Sequence, residues 1–295
     1  MILNRLHEKG LIHPPKFLID NCHYLTLMGS RTYACATDDS DNDIYGFCIP
    51  PKTQVFPHLN NEILGFGRQI KRFEQWSEHG INDKEAHKEY DLTVYSIVKY
   101  FQLLMDCNPN MIDSIFTHVN HVIHITSLGQ IVKDNRRIFL HKGAYHRFRG
   151  YAYAQLHKMS TRNPKDGSKR AEDIKNKGFD SKFAYHLIRL ALECEQILAV
   201  GDLDLECNSE ILKSIRRGEW TEDWVRDYFK EKEKTLEALY RDSKIPHSPD
   251  EAQIKEVLLN CLEHHYGSLD NIINCQDKYE KAVNDISDII AKLGR

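Results

Sequence analysis

The chain has 295 residues, of which 41% are hydrophobic, 10% aromatic and 28% charged, with 15 Gly and 9 Pro; this is the composition of a folded globular protein and excludes disorder or fibrous structure as a global description. Lys plus Arg number 40 against 43 Asp plus Glu, a formal net charge of −3 that says little about partners until the charge is located. No run approaches the ~18 consecutive apolar residues of a membrane span, and the opening stretch MILNRLHEKG carries charge where a secretory signal carries its apolar region, so the expectation is a cytoplasmic protein with no membrane partner.

In chain order, Tyr24 to Met28 reads as a buried strand stopped by Gly29-Ser30, and Ile44 to Ile49 as a second strand stopped by Pro50-Pro51. Tyr90-Asp91-Leu92 is a shorter third. After it, Val94, Ile97, Val98, Phe101 and Leu104 recur at spacings of three and four, the mark of an amphipathic helix, closed by Asn108-Pro109. Residues 159 to 180 are polar and contain Pro and two Gly, which predicts a surface connection or a domain boundary. Beyond them Phe183, Leu187, Leu190, Ala191 and Leu198 form one apolar helical face, and Trp220 to Tyr240 and Ile254 to Leu293 supply further helices. At about 150 residues per domain the length suits two domains. We expect an α/β domain with a mixed sheet over residues 1–130, followed by a mainly helical domain over residues 131–295.

The eight cysteines contain no C-x-x-C pair, so neither a zinc ribbon nor a disulfide scaffold is indicated and a reducing compartment fits best. The charge is uneven. Residues 131 to 182 hold 14 Lys/Arg against 5 Asp/Glu, a local +9 that leaves −12 for the rest. A basic centre between acidic flanks suits a polyanion such as nucleotide or RNA, although a solvated surface loop has the same signature.

The stretch from Met28 to Ile44, MGSRTYACATDDSDNDI, carries the chemistry. A glycine and a small hydroxyl at a strand end let backbone N–H groups approach a phosphate closely. Asp41 and Asp43 stand two apart at the start of the next strand, so both carboxylates share one face. They repel unless a cation joins them, and hard oxygen ligands facing a phosphate-binding turn suit Mg²⁺. An acidic turn with capping Asp and Ser residues is the plainer reading of TDDSDND alone.

The order strand, Gly-Ser, Asp-x-Asp, apolar strand strongly resembles the signature of the DNA polymerase beta superfamily of nucleotidyltransferases. Four stretches, GSRTYACATDDSDNDIYGF, DLTVYSIVKYFQLLMDCNPN, FRGYAYAQ and KFAYHLIRLALECEQILAVGDLDL, are similar to its RNA-ligase-associated, RlaP-like branch and together cover most of residues 25 to 220. The resemblance implies that Gly29 and Ser30 hold the triphosphate, that Asp41 and Asp43 bind two Mg²⁺ ions, for which Mn²⁺ can stand in, and that a third carboxylate completes the site. Asp91 is that carboxylate here, with Glu89 on the same strand face as its substitute; alone, Asp91 reads as a helix N-cap. Ala34 departs from the pattern, which has glycine at this position.

Lys182, His186 and Arg189 are spaced four and three apart, so a helix from Lys182 presents them on one face, with Tyr185 beside them. They read either as a polar stripe reaching the nucleotide, with Arg gripping phosphate bidentately, or as a solvent-facing helix edge. Arg31, next to Ser30, is a further candidate for phosphate or acceptor. His118, His121 and His124 recur every three residues but lack a completing ligand at zinc-like spacing. The run from Arg147 to Tyr153, RFRGYAY, interleaves cations with aromatics, as single-stranded nucleic-acid surfaces do, and equally suits a core helix with a basic edge.

These readings converge on attack by an acceptor on the α-phosphate of an NTP, with Asp41, Asp43 and Asp91 as catalytic and metal-binding residues. The resemblance implies an RNA end as acceptor, in RNA repair beside an RNA ligase. Transfer of AMP to a protein hydroxyl, and nucleotide binding without turnover, are the alternatives.

Overall fold

The computed structural model describes residues 1–36, 41–56, 72–161, 167 and 169–267. At its centre lies a five-stranded sheet of β1 (Cys22–Leu27), β2 (Asn42–Cys48), β3 (Gln75–Asp83), β4 (Lys88–Ser96) and β5 (Val122–Ile125), in the order β3-β4-β2-β1-β5. β2 and β4 run parallel and every other neighbouring pair is antiparallel. The sheet is therefore mixed, and with its many helices the chain has the polymerase-beta-type nucleotidyltransferase fold with a helical region.

Around the sheet are α1 (Ile2–Glu8), α2 (Lys52–Val55), α3 (Ile97–Met105), α4 (Pro109–Phe116), α5 (Ser127–Asp134), α6 (Gly143–Thr161), α7 (Lys169–Lys177), α8 (Ser181–Val200), α9 (Ser209–Arg217), α10 (Glu222–Asp242) and α11 (Glu251–Tyr266). Strand alternation sends successive side chains to opposite faces. Leu25, Ile44, Leu92 and Val94 meet Leu3 and Leu6 of α1 on one face. Tyr24 and Phe47 meet Tyr100, Ile112 and Ile115 of α3 and α4 on the other, in an apolar cluster that continues through α6 and α8 to Leu262 of α11. Each fully buried Leu, Ile or Phe there contributes about 1.5–3 kcal/mol. β2 approaches β1 closely at Gly46, where a Cβ would stand 1.8 Å from the Tyr24 carbonyl oxygen.

The helix read from Val94 to Leu104 starts later, at Ile97, because Val94 belongs to β4 and Ser96 caps the helix, its Oγ accepting the Lys99 N–H at 3.2 Å. Asn108-Pro109 opens α4 rather than only closing α3: the Asn108 side chain accepts from the N–H groups of Asn110 and Met111, and Pro109 takes the first helical position. The polar segment 159–180 is largely helical where it is described, the end of α6 and all of α7 falling within it. α9 falls in the region expected to be mainly helical, although no apolar spacing singled it out. The part of the expected helix beyond residue 267 lies outside the described residues, as do Asp38, Asp39 and Cys275. The cysteines among the described residues are free thiols. Among the described residues no helix is long and apolar enough to cross a membrane.

Candidate active site

β1 ends in one tight turn, Gly29–Arg31, which folds back on itself: Thr32 Oγ1 donates to the Leu27 carbonyl at 2.8 Å and the Cys35 N–H to the Ser30 carbonyl at 2.8 Å. Gly29 has φ +70°, a conformation glycine adopts freely. A Cβ on it would lie 2.3 Å from Asp43 Oδ2. The Met28 N–H donates to the Asp43 carbonyl at 2.7 Å, so turn and carboxylate are locked together. Ala34, the departure from the glycine pattern, has φ +52°; it holds the left-handed conformation at the usual cost of a Cβ there.

Asp43 is the direct register partner of Asp91 across the parallel β2–β4 pair. Both therefore point to the same face. Asp41, two residues before Asp43, is exposed at the same strand end. Burial pushes the Asp43 carboxyl above the usual carboxylate range, Asp91 and then Asp41 push it further, and Lys182 and His79 oppose them. Asp91 stands in mid-strand, not at a helix cap; its Oδ1 accepts the Gly80 N–H at 2.7 Å and lies 3.6 Å from His79 Nδ1. Those two partners come from the irregular stretch of β3 between Glu78 and Ile81. Among the described residues no group of three or more His, Cys, Asp or Glu side chains is already arranged as a metal-ligand set.

Beyond the turn, Cys35 and Ala36 open onto a cleft of about 760 Å³ shared with α7, α8 and α9. Six cations line it, Arg170, Lys177, Lys182, Lys213, Arg216 and Arg217, with Glu172 as the carboxylate among them. Arg170, Lys213 and Arg217 are paired with Asp180, Glu210 and Glu219. Lys182 and Arg216 make no ion pair among the described residues, and Arg216 Nη1 donates to the Cys35 carbonyl at 2.8 Å. Lys182 faces both the acidic pair and the cleft, since its charge acts on Asp43 and it lines the pocket. A cleft with this charge suits a polyphosphate.

The stripe on α8 divides. Lys182 is exposed, whereas the His186 imidazole is held neutral, its pKa lowered to about 4 by burial and then by Lys182, Arg216, Arg170 and Lys158. Arg189 is not at the cleft surface: it is 5% exposed, and its Nη1 donates to Asp113 Oδ2 at 2.6 Å and to the Tyr33 hydroxyl, with Glu193 Oε1 at 3.6 Å. Tyr33 donates to the same Asp113 oxygen at 2.6 Å, so Arg189 anchors the segment that follows Ser30 instead of reaching for phosphate. Tyr185 is buried as well, its ring 6.3 Å from that of Tyr33. Ser30 and Arg31 remain half-buried in the turn itself.

The three histidines serve separate ends. His118 caps a short turn, His121 pairs with Glu206 at 3.0 Å, and His124 meets the Cys22 carbonyl at 3.2 Å. RFRGYAY lies on α6, with Arg147 beside Asp106 and Arg149 bound to Glu233 of α10. Sequence reasoning missed Lys213, Arg216 and Arg217, although their i, i+3, i+4 spacing is legible in KSIRR.

A family described as RNA repair pathway DNA polymerase beta family matches residues 13–245. No curated protein matches the chain. Among solved structures, a nucleotidyltransferase-like protein from Exiguobacterium sibiricum is similar at 10% sequence identity and a TM-score of 0.29, over 81% of this chain and 73% of that one.

Proposed function

The chain belongs to the RNA repair pathway DNA polymerase beta family, and from that premise we propose that it transfers a nucleoside monophosphate from an NTP to an RNA end, with release of pyrophosphate. The observation that carries this reading is the register pairing of Asp43 with Asp91, set against Gly29 on one side and within the field of Lys182.

The donor set fits hard divalent cations. Asp41, Asp43 and Asp91 offer only oxygen, and the upward push that two neighbouring carboxylates exert on Asp43 is the repulsion a cation relieves. Two Mg²⁺ ions held by these three residues would stabilise the entering and leaving oxygens. The backbone of Gly29 and Ser30 receives the outer phosphates, and Lys182 and Arg216 offset their charge from the cleft. Asp91, on the strand farther from the turn, accepts the proton of the attacking hydroxyl. The new bond forms between that oxygen and Pα while the bond from Pα to the bridging oxygen breaks, its electron pair leaving with pyrophosphate. An RNA ligase is the partner class this chemistry serves.

The test incubates the full chain with NTP labelled at the α-phosphate, Mg²⁺ and either RNA or total cell protein. Label on RNA, lost in Asp43→Asn, supports the proposal. Label on protein alone, or nucleotide binding without transfer, overturns it in favour of protein AMP transfer or a binding module.

A further inference from the structure

β3 carries one residue more than its partner strand can match. Glu78 pairs with Leu92 and Ile81 with Tyr90, so two residues, His79 and Gly80, stand opposite the single residue Asp91. On either side of them the β3–β4 ladder is regular, from Gln75 with Tyr95 to Asp83 with Lys88. Two residues against one make a β-bulge, which disrupts the ladder locally and re-aims the groups it carries. It falls at the carboxylate that completes the acidic set.

In a regular ladder the N–H of an edge strand lies in the plane of the sheet and meets a carbonyl or solvent. Here Gly80 instead donates its N–H to Asp91 Oδ1 at 2.7 Å. The backbone turn behind this bond is the left-handed conformation of Gly80, φ +66°, which a side chain disfavours. Crowding does not account for the glycine, because a Cβ there would meet nothing nearer than Glu89 Oε1 at 3.9 Å. His79 addresses the same oxygen, its Nδ1 3.6 Å away. Both contacts fall on Oδ1 and neither on Oδ2, while the Asp91 side chain stays 37% exposed.

A carboxylate held in this way offers a cation one oxygen. Mg²⁺ is small, demands a near-octahedral shell and uses few carboxylates, whereas Ca²⁺ takes more oxygens and readily chelates a carboxylate through both. A hydrogen bond to a ligating side chain fixes its orientation and tunes the ion it accepts. We propose that Gly80 is a positioning residue: its N–H, aimed by the bulge, holds Oδ1 so that Asp91 meets the metal through Oδ2 alone, which favours Mg²⁺ over Ca²⁺. This rests on the proposed role of Asp91 as a metal ligand and adds to it the source of the selectivity.

The experiment reads free Mn²⁺ by electron paramagnetic resonance in the presence of the full chain, with Mg²⁺ or Ca²⁺ as competitor, which gives an affinity for each ion without turnover. Deleting Gly80 restores the regular ladder, since every other residue of β3 keeps its partner and His79 alone then faces Asp91. Gly80→Ala keeps the chain length and disfavours only the left-handed backbone. Circular dichroism and the urea midpoint establish that each variant folds. Mg²⁺ affinity should fall by about 10- to 100-fold in the deletion, and in the same direction in Gly80→Ala. Ca²⁺ affinity should hold or rise. His79→Ala keeps the N–H and removes only an exposed contact, so it should cost no more than about fivefold. Unchanged Mg²⁺ affinity in the folded deletion variant, equal losses for Mg²⁺ and Ca²⁺, or as deep a loss in His79→Ala overturns the proposal. Asp91→Asn tells this failure from that of the metal assignment. Mg²⁺ binding that needs Asp91 but ignores the bulge defeats the proposal alone, whereas Mg²⁺ binding untouched by Asp91→Asn defeats the assignment of Asp91 and the proposal with it.

Discussion

Oδ2 of Asp43 occupies the space that a side chain on Gly29 would need, 2.3 Å from the position of its Cβ. Gly29→Ala therefore meets two obstacles, the positive φ and the carboxylate. The folding cost should be about 1–2 kcal/mol from the left-handed backbone, read from the urea midpoint. Label transfer should fall much further, by ~100-fold, because a displacement of about an ångström at a reacting centre has that effect. Normal transfer by a folded Gly29→Ala would separate the turn from the chemistry.

Ala34 tests the neighbouring strain in the opposite sense. Its φ of +52° carries a penalty of ~1–2 kcal/mol that glycine relieves, while the freer unfolded chain takes back ~0.4–1 kcal/mol. Ala34→Gly should raise stability by about 0.5–1 kcal/mol by those figures. A variant less stable than the parent in chemical denaturation contradicts this.

For the acidic pair, activity and stability should part company. Asp43→Asn removes a carboxylate that burial and two like-charged neighbours disfavour, so the fold should hold or gain stability while transfer falls by ~10³-fold or more, the scale of losing an electrostatic contact to the transition state. Without metal, burial and the neighbouring carboxylates hold the Asp43 carboxyl above the ordinary aspartate range, so Mg²⁺ binding should release protons and weaken as pH falls. Mg²⁺ affinity that is independent of pH, measured by titration calorimetry, would contradict this.

The strands and turn around Gly29 were legible because apolar runs end there in Gly29-Ser30 and Pro50-Pro51, and the period of two places Asp41 and Asp43 together without any tertiary information. β3 and β5 were not, since both are edge strands, β3 mostly polar and β5 only four residues long, and their pairing is dictated by β4 and β1. Helical spacing grouped Lys182, His186 and Arg189 along α8, yet spacing cannot say which flank is covered. α8 is buried along most of its length, and the carboxylate that claims Arg189, Asp113, arrives from α4. The cations of α9 complete the cleft from a stretch expected to be helical but not singled out as part of the site.

That buried cluster carries its own pH signature. Arg189 faces two carboxyls, Asp113 and Glu193, and burial pushes Glu193 up to about 7 against the pull of Arg189. The folded chain then holds a proton that the unfolded chain has already lost, so this group's contribution to stability falls as pH rises from the ordinary glutamate range through about 7. Glu193→Gln removes the effect. Its stability relative to the wild type should improve between pH 5 and pH 8 in urea titrations, whereas a difference independent of pH would show that Glu193 does not titrate there.

The pairing of Asp43 with Asp91 has a bearing on when the protein can act at all. No local piece of chain contains both groups in working geometry, because one comes from each of two parallel strands joined through intervening structure, and contacts of such long range close late in folding. On the proposed reaction, a nascent chain or a proteolytic remnant that has not finished its sheet would not consume nucleotide, and the appearance of transfer would itself report that the strands have found each other.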